Sequence, residues 1–341
     1  MEFTIPNWSA EDEKWMRRCL ILAEKGKYQV GSNPMVGCVL VEGGQWISEG
    51  YHKRFGEAHA EVDAWKNAGQ PDSFEQGTIY VSLEPCSHHG KTPPCTDLLL
   101  RLRPSRVVLA STDPDVRVSG NGIRRLSEAG IKVDVGCLDA ENRHLNRHYF
   151  TQRTHNRPFV ALKWAETCGG MVGKSQASPE SRLMISGPQA LVYGHRLRAE
   201  HQSILVGGGT VLADNPQLNL RYFSGNSPQI LVWWTRSSPL GNYRFQSNAH
   251  FTEITAASLK QAWPEITASA GNSVLVEGGA KTQSAFIEMG MWDEIHRIVN
   301  QEPHKDGGIS APRLPNNAAL IKTLPIGNDT VYIYRPKKQI L

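Results

Sequence analysis

His59-Ala60-Glu61 and, further along, Pro85-Cys86 and Cys95 are the residues whose types and spacing point most directly to chemistry. One imidazole and two thiolates are a three-ligand set for zinc, and a catalytic zinc keeps its fourth position for water. The metal lowers the pKa of that water enough to give hydroxide near neutral pH. Glu61, two residues past His59, is suited to take a proton from the water and deliver it to a leaving amine. H-x-E with P-C-x-x-C marks zinc nucleobase deaminases, with the Glu as acid/base and not a ligand. Here the cysteines stand farther apart, around the eight-residue insert Ser87 to Pro94. Two alternatives remain at this point. Either His88 or His89 closes a structural zinc site, or the cysteines are buried without metal.

The second half holds a different signal. Ser203-Ile-Leu-Val-Gly-Gly-Gly-Thr210 and Ser273-Val-Leu-Val-Glu-Gly-Gly-Ala280 each read as a strand, a Gly-Gly turn and a helix start. Such turns let a ligand approach the backbone, and the helix N-terminus offers free N–H groups to phosphate. Neither copy is G-x-G-x-x-G, so the standard dinucleotide fingerprint is absent. Two tight connections without a ligand are the alternative reading.

The surrounding elements are legible from periodicity. Ser9 with Asp12 three residues on predicts a helix start close to a capping box, and Gly26 closes that helix. Met35 to Val41 and Gln45 to Tyr51 read as a strand pair around Gly43-Gly44. Helices are expected at Glu57 to Ala68, Cys95 to Arg103 and Gly120 to Ala129. Strands are expected at Gly77 to Leu83, Arg106 to Ala110 and Ile131 to Val135. The order β-β-α-β-α-β-α-β implies a layered α/β domain over residues 1–150. Leu138 to Arg157 is polar and rich in Asn, Arg and His, and is read as the boundary, crossed by a linking helix. A second α/β domain follows over residues 157–341, with strands at Phe159 to Trp164, Ser203 to Val206, Gln229 to Trp234, Ser273 to Val276, Trp292 to Val299 and Thr330 to Tyr334, and a helix at Pro188 to Ala199.

With 341 residues, 40% hydrophobic and 21% charged, the composition is that of a globular protein. No apolar run reaches the roughly 20 residues of a membrane span. The first ten residues lack a basic region followed by an apolar stretch, so no secretory signal is expected. Net charge is +4, with 19 basic against 20 acidic residues up to position 155 and 18 against 13 beyond it. That argues against nucleic acid as partner and suits a phosphate-bearing ligand in the second half. Cys19, Cys38, Cys137 and Cys168 read as free, partly buried thiols. The expected compartment is the cytoplasm.

Taken with their neighbours, these motifs resemble the bifunctional riboflavin-biosynthesis deaminase/reductase family. His59-Ala60-Glu61 and Ser82 to Cys95 (SLEPCSHHGKTPPC) carry the likeness, with Ser32 to Gly37 and Gly50-Tyr51-His52 upstream. Leu162-Lys163, Ser203 to Pro216 and Val276 to Gly279 carry it downstream. The resemblance implies a cytidine-deaminase-like three-layer N-terminal domain and a dihydrofolate-reductase-like C-terminal domain. It implies zinc-dependent removal of the 2-amino group from a diaminohydroxypyrimidine bearing a ribosylamino 5-phosphate, and then NADPH-dependent reduction of ribosyl to ribityl. By the same likeness His59, Cys86 and Cys95 are zinc ligands and Glu61 the proton shuttle, while Asn33, His52 and Lys91 contact the deaminase substrate. Ala165, Thr210, Asp214, Gly278 and Gly279 fall on cofactor positions. Lys163, Arg198, Leu218, Arg221 and Glu277 fall on reductase substrate positions. The guanidinium fork suits a ribose phosphate. A homo-oligomer is implied as well.

The chain departs from the family pattern in two places. Thr167-Cys168-Gly169-Gly170 stands where a Ser-x-Asp-Gly run is usual, and Met184-Ile185-Ser186 where Trp-Ile-Thr/Ser is common. These departures leave open a reductase-like domain that binds without turning over. A nucleic-acid-editing zinc deaminase is a further alternative, which the first half's charge disfavours.

Overall fold

A computed structural model describes residues 7–88, 93–115, 119–173, 185–237, 241–247, 250–302 and 308–337. The chain divides into two compact units, Met1–Asn156 and Arg157–Leu341.

The first unit opens with α1 (Ala10–Glu24), whose N-cap Ser9 and Asp12 form the expected capping box. β1 (Gly37–Glu42) and β2 (Gln45–Tyr51) make the antiparallel hairpin. Then come α2 (Ala60–Asn67), β3 (Gly77–Leu83), α3 (Cys95–Leu102), β4 (Arg106–Ser111), α4 (Asn121–Glu128) and β5 (Lys132–Val135). The sheet order is β2-β1-β3-β4-β5, with β3, β4 and β5 parallel. Alternation along the strands builds the layers. Cys38 and Leu40 of β1 face one way, into a core with α2, α3 and α4. Val39 and Val41 face the other way, against Trp15, Met16, Cys19 and Leu22 of α1. Two glycines set the closeness of this packing. A Cβ on Gly37 would lie 2.0 Å from the Cys19 carbonyl oxygen of α1, and one on Gly50 would lie 2.2 Å from the Ala64 nitrogen of α2. The polar stretch after β5 folds as two helices, α5 (Asp139–Leu145) and α6 (Arg147–His155), where one linking helix was expected.

The second unit runs β6 (Phe159–Thr167), β7 (Met171–Gly173), α7 (Pro188–Glu200), β8 (Ser203–Gly207), α8 (Gly208–Asp214), β9 (Gln229–Trp234), β10 (Phe251–Thr255), α9 (Leu259–Ser269), β11 (Ser273–Glu277), α10 (Ala280–Glu288), β12 (Glu294–Asn300), β13 (Ile309–Ser310), β14 (Ala318–Ile326) and β15 (Asp329–Pro336). Its eight-stranded sheet has the order β10-β9-β8-β11-β6-β12-β15-β14. The strands are parallel as far as β12, while β15 runs antiparallel to both β12 and β14. The sheet is therefore mixed, with its one antiparallel strand next to the β14 edge. Val160, Leu162 and Trp164 of β6 enter a core with α9 and α10, whereas Phe159 and Ala161 pack with Leu197 of α7.

Among the described residues, no helix is long and apolar enough to cross a membrane.

Candidate active sites

The backbone ahead of α2 is extended at His59, which serves as the N-cap residue, and Glu61 falls in the first helical turn. Cys86 follows β3, and Cys95 opens α3 directly after Pro94. Thr96 ties the two cysteine segments together: its N–H and its hydroxyl both donate to the Cys86 carbonyl oxygen, each at 3.2 Å. The Cys95 N–H, at the start of the helix, points at Cys86 Sγ from 3.3 Å. A helix N-terminus of this kind favours thiolate. His59 Nδ1 lies 3.5 Å from Cys86 Sγ and 3.3 Å from Cys95 Sγ. The three atoms lie within 4.8 Å of one another, and no fourth His, Cys, Asp or Glu among the described residues joins them. A nitrogen and two sulfurs converging this closely match zinc's preferred donors, and a three-ligand set leaves one coordination position open. Contact with Cys95 and with the His59 ring draws the Cys86 thiol down to about 4, and contact with Cys86 raises His59 to about 9.

Glu61 is 5% exposed, and burial raises its pKa. It lines a cavity of about 320 Å³ with Asn33, His52, His59, Cys86 and Asp113. His52 is buried, and its two ring nitrogens have distinct partners. Nδ1 sits 3.0 Å from the Ala58 carbonyl oxygen and must donate; Nε2, 3.1 Å from Asn33 Nδ2, must accept. The ring is therefore neutral, in keeping with the lowering of its pKa by burial. Lys91 lies outside the described residues.

Sequence reasoning missed three buried carboxylates on this cavity, Glu84, Asp113 and Asp115. Glu84 accepts from the N–H groups of Asp113, Gly120 and Gly122 at 3.2, 3.0 and 3.0 Å, which fixes those three amides on its carboxylate. Asp113 accepts from the Tyr149 hydroxyl at 2.9 Å. Glu84 stands in the Ser82 to Cys95 motif, which was the available signal; Asp113 and Tyr149 lie in segments with none.

In the second unit, the two Gly-Gly turns are neighbours because β8 and β11 are adjacent and parallel. They interlock. Thr210, in the first turn of α8, accepts from the N–H of Gly279, the N-cap of α10, at 2.8 Å. Thr282, in the first turn of α10, sits where a Cβ on Gly207, the N-cap of α8, would lie 2.3 Å from its hydroxyl. A Cβ on Gly209 would meet nothing within 4 Å, so that face of the turn is open. Paired helix starts with an open glycine backbone suit the phosphates of a dinucleotide.

Register places Glu277 of β11 opposite Lys163 of β6. Arg198 of α7 grips Glu277 with two bonds, at 3.0 and 2.6 Å, and Lys163 Nζ is 3.9 Å away. Burial opposes the charge on Glu277, but Arg198 and Lys163 outweigh it and hold the carboxyl near 2. Arg198, Asp214, Leu218 and Arg221 line a second cavity, of about 240 Å³. Leu218 is buried with φ +57°, an uncommon conformation for a branched side chain. The Ala165 side chain packs with the Ala190 and Ile298 cluster. The Thr167 to Gly170 run forms a tight turn between β6 and β7, with Gly170 at φ +75° and Cys168 exposed. Cys19, Cys38 and Cys137 are buried. Met184 is outside the described residues. Sequence reasoning also missed His195, whose Nδ1 accepts from the Arg221 N–H at 3.1 Å. Its signal was its place three residues before Arg198 on one helix face. Burial, with Arg198 and Arg221 nearby, lowers His195 to about 4.

Residues 9–111 match the cytidine and deoxycytidylate deaminase zinc-binding region, and residues 158–322 match the RibD C-terminal domain. The riboflavin biosynthesis protein RibD of Aquifex aeolicus is 33% identical over 83% of this chain and 85% of its own length. That of Actinobacillus pleuropneumoniae is 39% identical over 88% and 87%. A crystal structure of a diaminohydroxyphosphoribosylaminopyrimidine deaminase/5-amino-6-(5-phosphoribosylamino)uracil reductase from Thermotoga maritima superposes with a TM-score of 0.86. It is 32% identical and covers 96% of this chain and 99% of that one. With both domains matched and the likeness running nearly end to end, the chain belongs to the riboflavin biosynthesis protein RibD family.

Proposed function

We infer that this chain is a bifunctional enzyme of riboflavin biosynthesis, a zinc-dependent deaminase joined to an NADPH-dependent reductase. The observation that carries the reading is the convergence of His59, Cys86 and Cys95 on a cavity that also holds the buried Glu61. The substrate assigned to the first unit is 2,5-diamino-6-ribosylamino-4(3H)-pyrimidinone 5′-phosphate, and the product of deamination is the substrate of the second.

Zinc on His59, Cys86 and Cys95 would supply Lewis acidity and activate water for attack on the ring carbon bearing the amine. Glu61 then has the chemistry's two proton steps: it accepts a proton from the attacking water and gives one to the departing amine. Burial suits it to both, because a carboxyl raised toward neutrality can hold and release a proton in one cycle. Neutral His52 and Asn33 are assigned to hydrogen bonds with the pyrimidine, and Lys91 to the phosphate.

In the second unit, NADPH would supply the hydride for reduction of the ribosyl group. Thr210, Gly278, Gly279, Asp214 and Ala165 are assigned to holding it. The Arg221 guanidinium donates to the neutral side-chain oxygens of Gln217 and Asn219 and lies over the Tyr222 ring, so its charge suits the substrate phosphate. Arg198 and Lys163 share Glu277, and these three with Leu218 are assigned to the ribosyl-pyrimidine. The whole-length likeness favours two working domains over a degenerate second one. The same reading places the enzyme in the cytoplasm as a homo-oligomer, which fractionation and sedimentation would check.

A coupled assay tests the reading. Ammonia release from the diaminopyrimidine substrate should precede NADPH oxidation by the deaminated product. No ammonia from zinc-loaded protein would sink the first half of the assignment, and ammonia without NADPH consumption the second.

A further inference from the structure

We propose that Asn146 is a positioning residue for the deamination, acting through the backbone of Met35 on Asn33 and His52. The likeness to the deaminase zinc-binding region ends at residue 111, well before this asparagine. The inference rests on the deaminase reading above.

Asn146 sits at the junction of α5 and α6 and is 2% exposed. A buried primary amide is costly unless its donors and its acceptor are met. Here both sides are met by one residue: Oδ1 accepts from the Met35 N–H at 2.7 Å, and Nδ2 donates to the Met35 carbonyl oxygen at 2.9 Å. The side chain thus pairs with Met35 as a neighbouring strand would. The clamp is anchored behind. Asn146 Nδ2 also donates to Asn142 Oδ1 at 3.0 Å, and Asn142 Nδ2 donates to Ser111 Oγ, at the end of β4, at 2.9 Å.

What the clamp holds is the cavity wall. Met35 is joined to Asn33 through Pro34, whose ring fixes its φ and stiffens the link. Asn33 and Pro34 line the cavity, and Asn33 donates to His52 Nε2. A shift at Met35 therefore moves Asn33 and frees His52 from its partner. Further along α6, Tyr149 and Arg153 line the same cavity. The polar helix pair is part of the site's wall.

Asn146→Ala should raise the KM of ammonia release about tenfold, with kcat changed by no more than about threefold. Zinc content should stay at the wild-type value. NADPH oxidation with the deaminated substrate should be unchanged. Asn142→Ala is the control: it loosens the anchor but keeps the Met35 pairing, so it should lower thermal stability and leave KM alone. The proposal is overturned by a wild-type KM in Asn146→Ala, or by an equal rise of KM in Asn142→Ala, which would make the effect one of stability. Should Asn146→Ala fail to fold, Asn146→Asp decides. It has the same shape and keeps the acceptor for Met35 N–H, but loses the donor to the carbonyl. A raised KM with zinc retained supports the clamp, and an unchanged KM overturns it. Wild-type protein that releases no ammonia would sink the deaminase reading instead.

Discussion

Glu277 shows how one carboxylate can organise a site. It is buried between Arg198 and Lys163, and each cation is tolerable there because of it. Glu277→Gln should lower the reductase kcat/KM about a hundredfold and cost about 3 kcal/mol of stability, since it takes the counter-charge from two partly buried cations; steady-state NADPH oxidation and thermal melts check both. His195 sets a pH dependence. Unfolded, the imidazole takes its proton near 6.5, but in the native state only near 4. Between these values the unfolded state binds more protons, so acid favours unfolding. Stability is fully present above pH 6.5 and is lost as pH falls toward 4, by at most about 3 kcal/mol. Glu277, with an ordinary value of 4.5 and a native one near 2, enters only at lower pH. His195→Asn keeps an acceptor for Arg221 N–H and removes the titration. Its melting temperature should fall less between pH 6.5 and 4.5 than that of the wild type; parallel slopes would refute the assignment. Residues with metal-ligand chemistry were legible because zinc restricts both type and spacing. Asn146 was not, because a solvated asparagine and one buried with three side-chain hydrogen bonds look the same in a sequence.

At the scale of elements, the turns and helix starts positioned the chemistry and were largely readable. The Ser9–Asp12 box, the Gly43-Gly44 hairpin and the Gly-Gly turns before α8 and α10 each follow from local backbone needs. What escaped has a physical cause too. β10 is a short strand with mostly exposed side chains and β14 a largely exposed edge strand, so neither shows a strong periodic apolar signal; α9 has Leu259, Ala262, Trp263 and Ile266 at helical spacing, but Pro264 in their midst reads as a break. Packing between elements is likewise hidden. Gly50 reads as an ordinary strand glycine, yet α2 lies on it: a methyl there would sit 2.2 Å from Ala64 N and 2.7 Å from the Ala60 carbonyl oxygen. Gly50→Ala must displace the helix that begins with His59 and Glu61. Metal analysis should show less zinc per chain and ammonia release should drop at least tenfold, because ligand geometry is lost. Retention of full zinc and activity would show that α2 can move without cost.

For the whole molecule, each unit carries its own sheet, core and cavity. The two activities should therefore fail separately. Glu61→Gln should lose at least about a hundredfold in ammonia release. It should keep its zinc and its NADPH oxidation with the deaminated substrate. Glu277→Gln should do the reverse. Loss of both reactions in either variant would mean that the units depend on each other for more than a shared chain. The paired turns of the second unit carry a last consequence, for inheritance. Gly207 faces the Thr282 hydroxyl and Thr210 holds Gly279, so neither turn is free to drift alone. While Thr282 keeps its rotamer, a descendant can gain a methyl at position 207 only by giving up the hydroxyl at 282. Across relatives, those two positions should change as a couple.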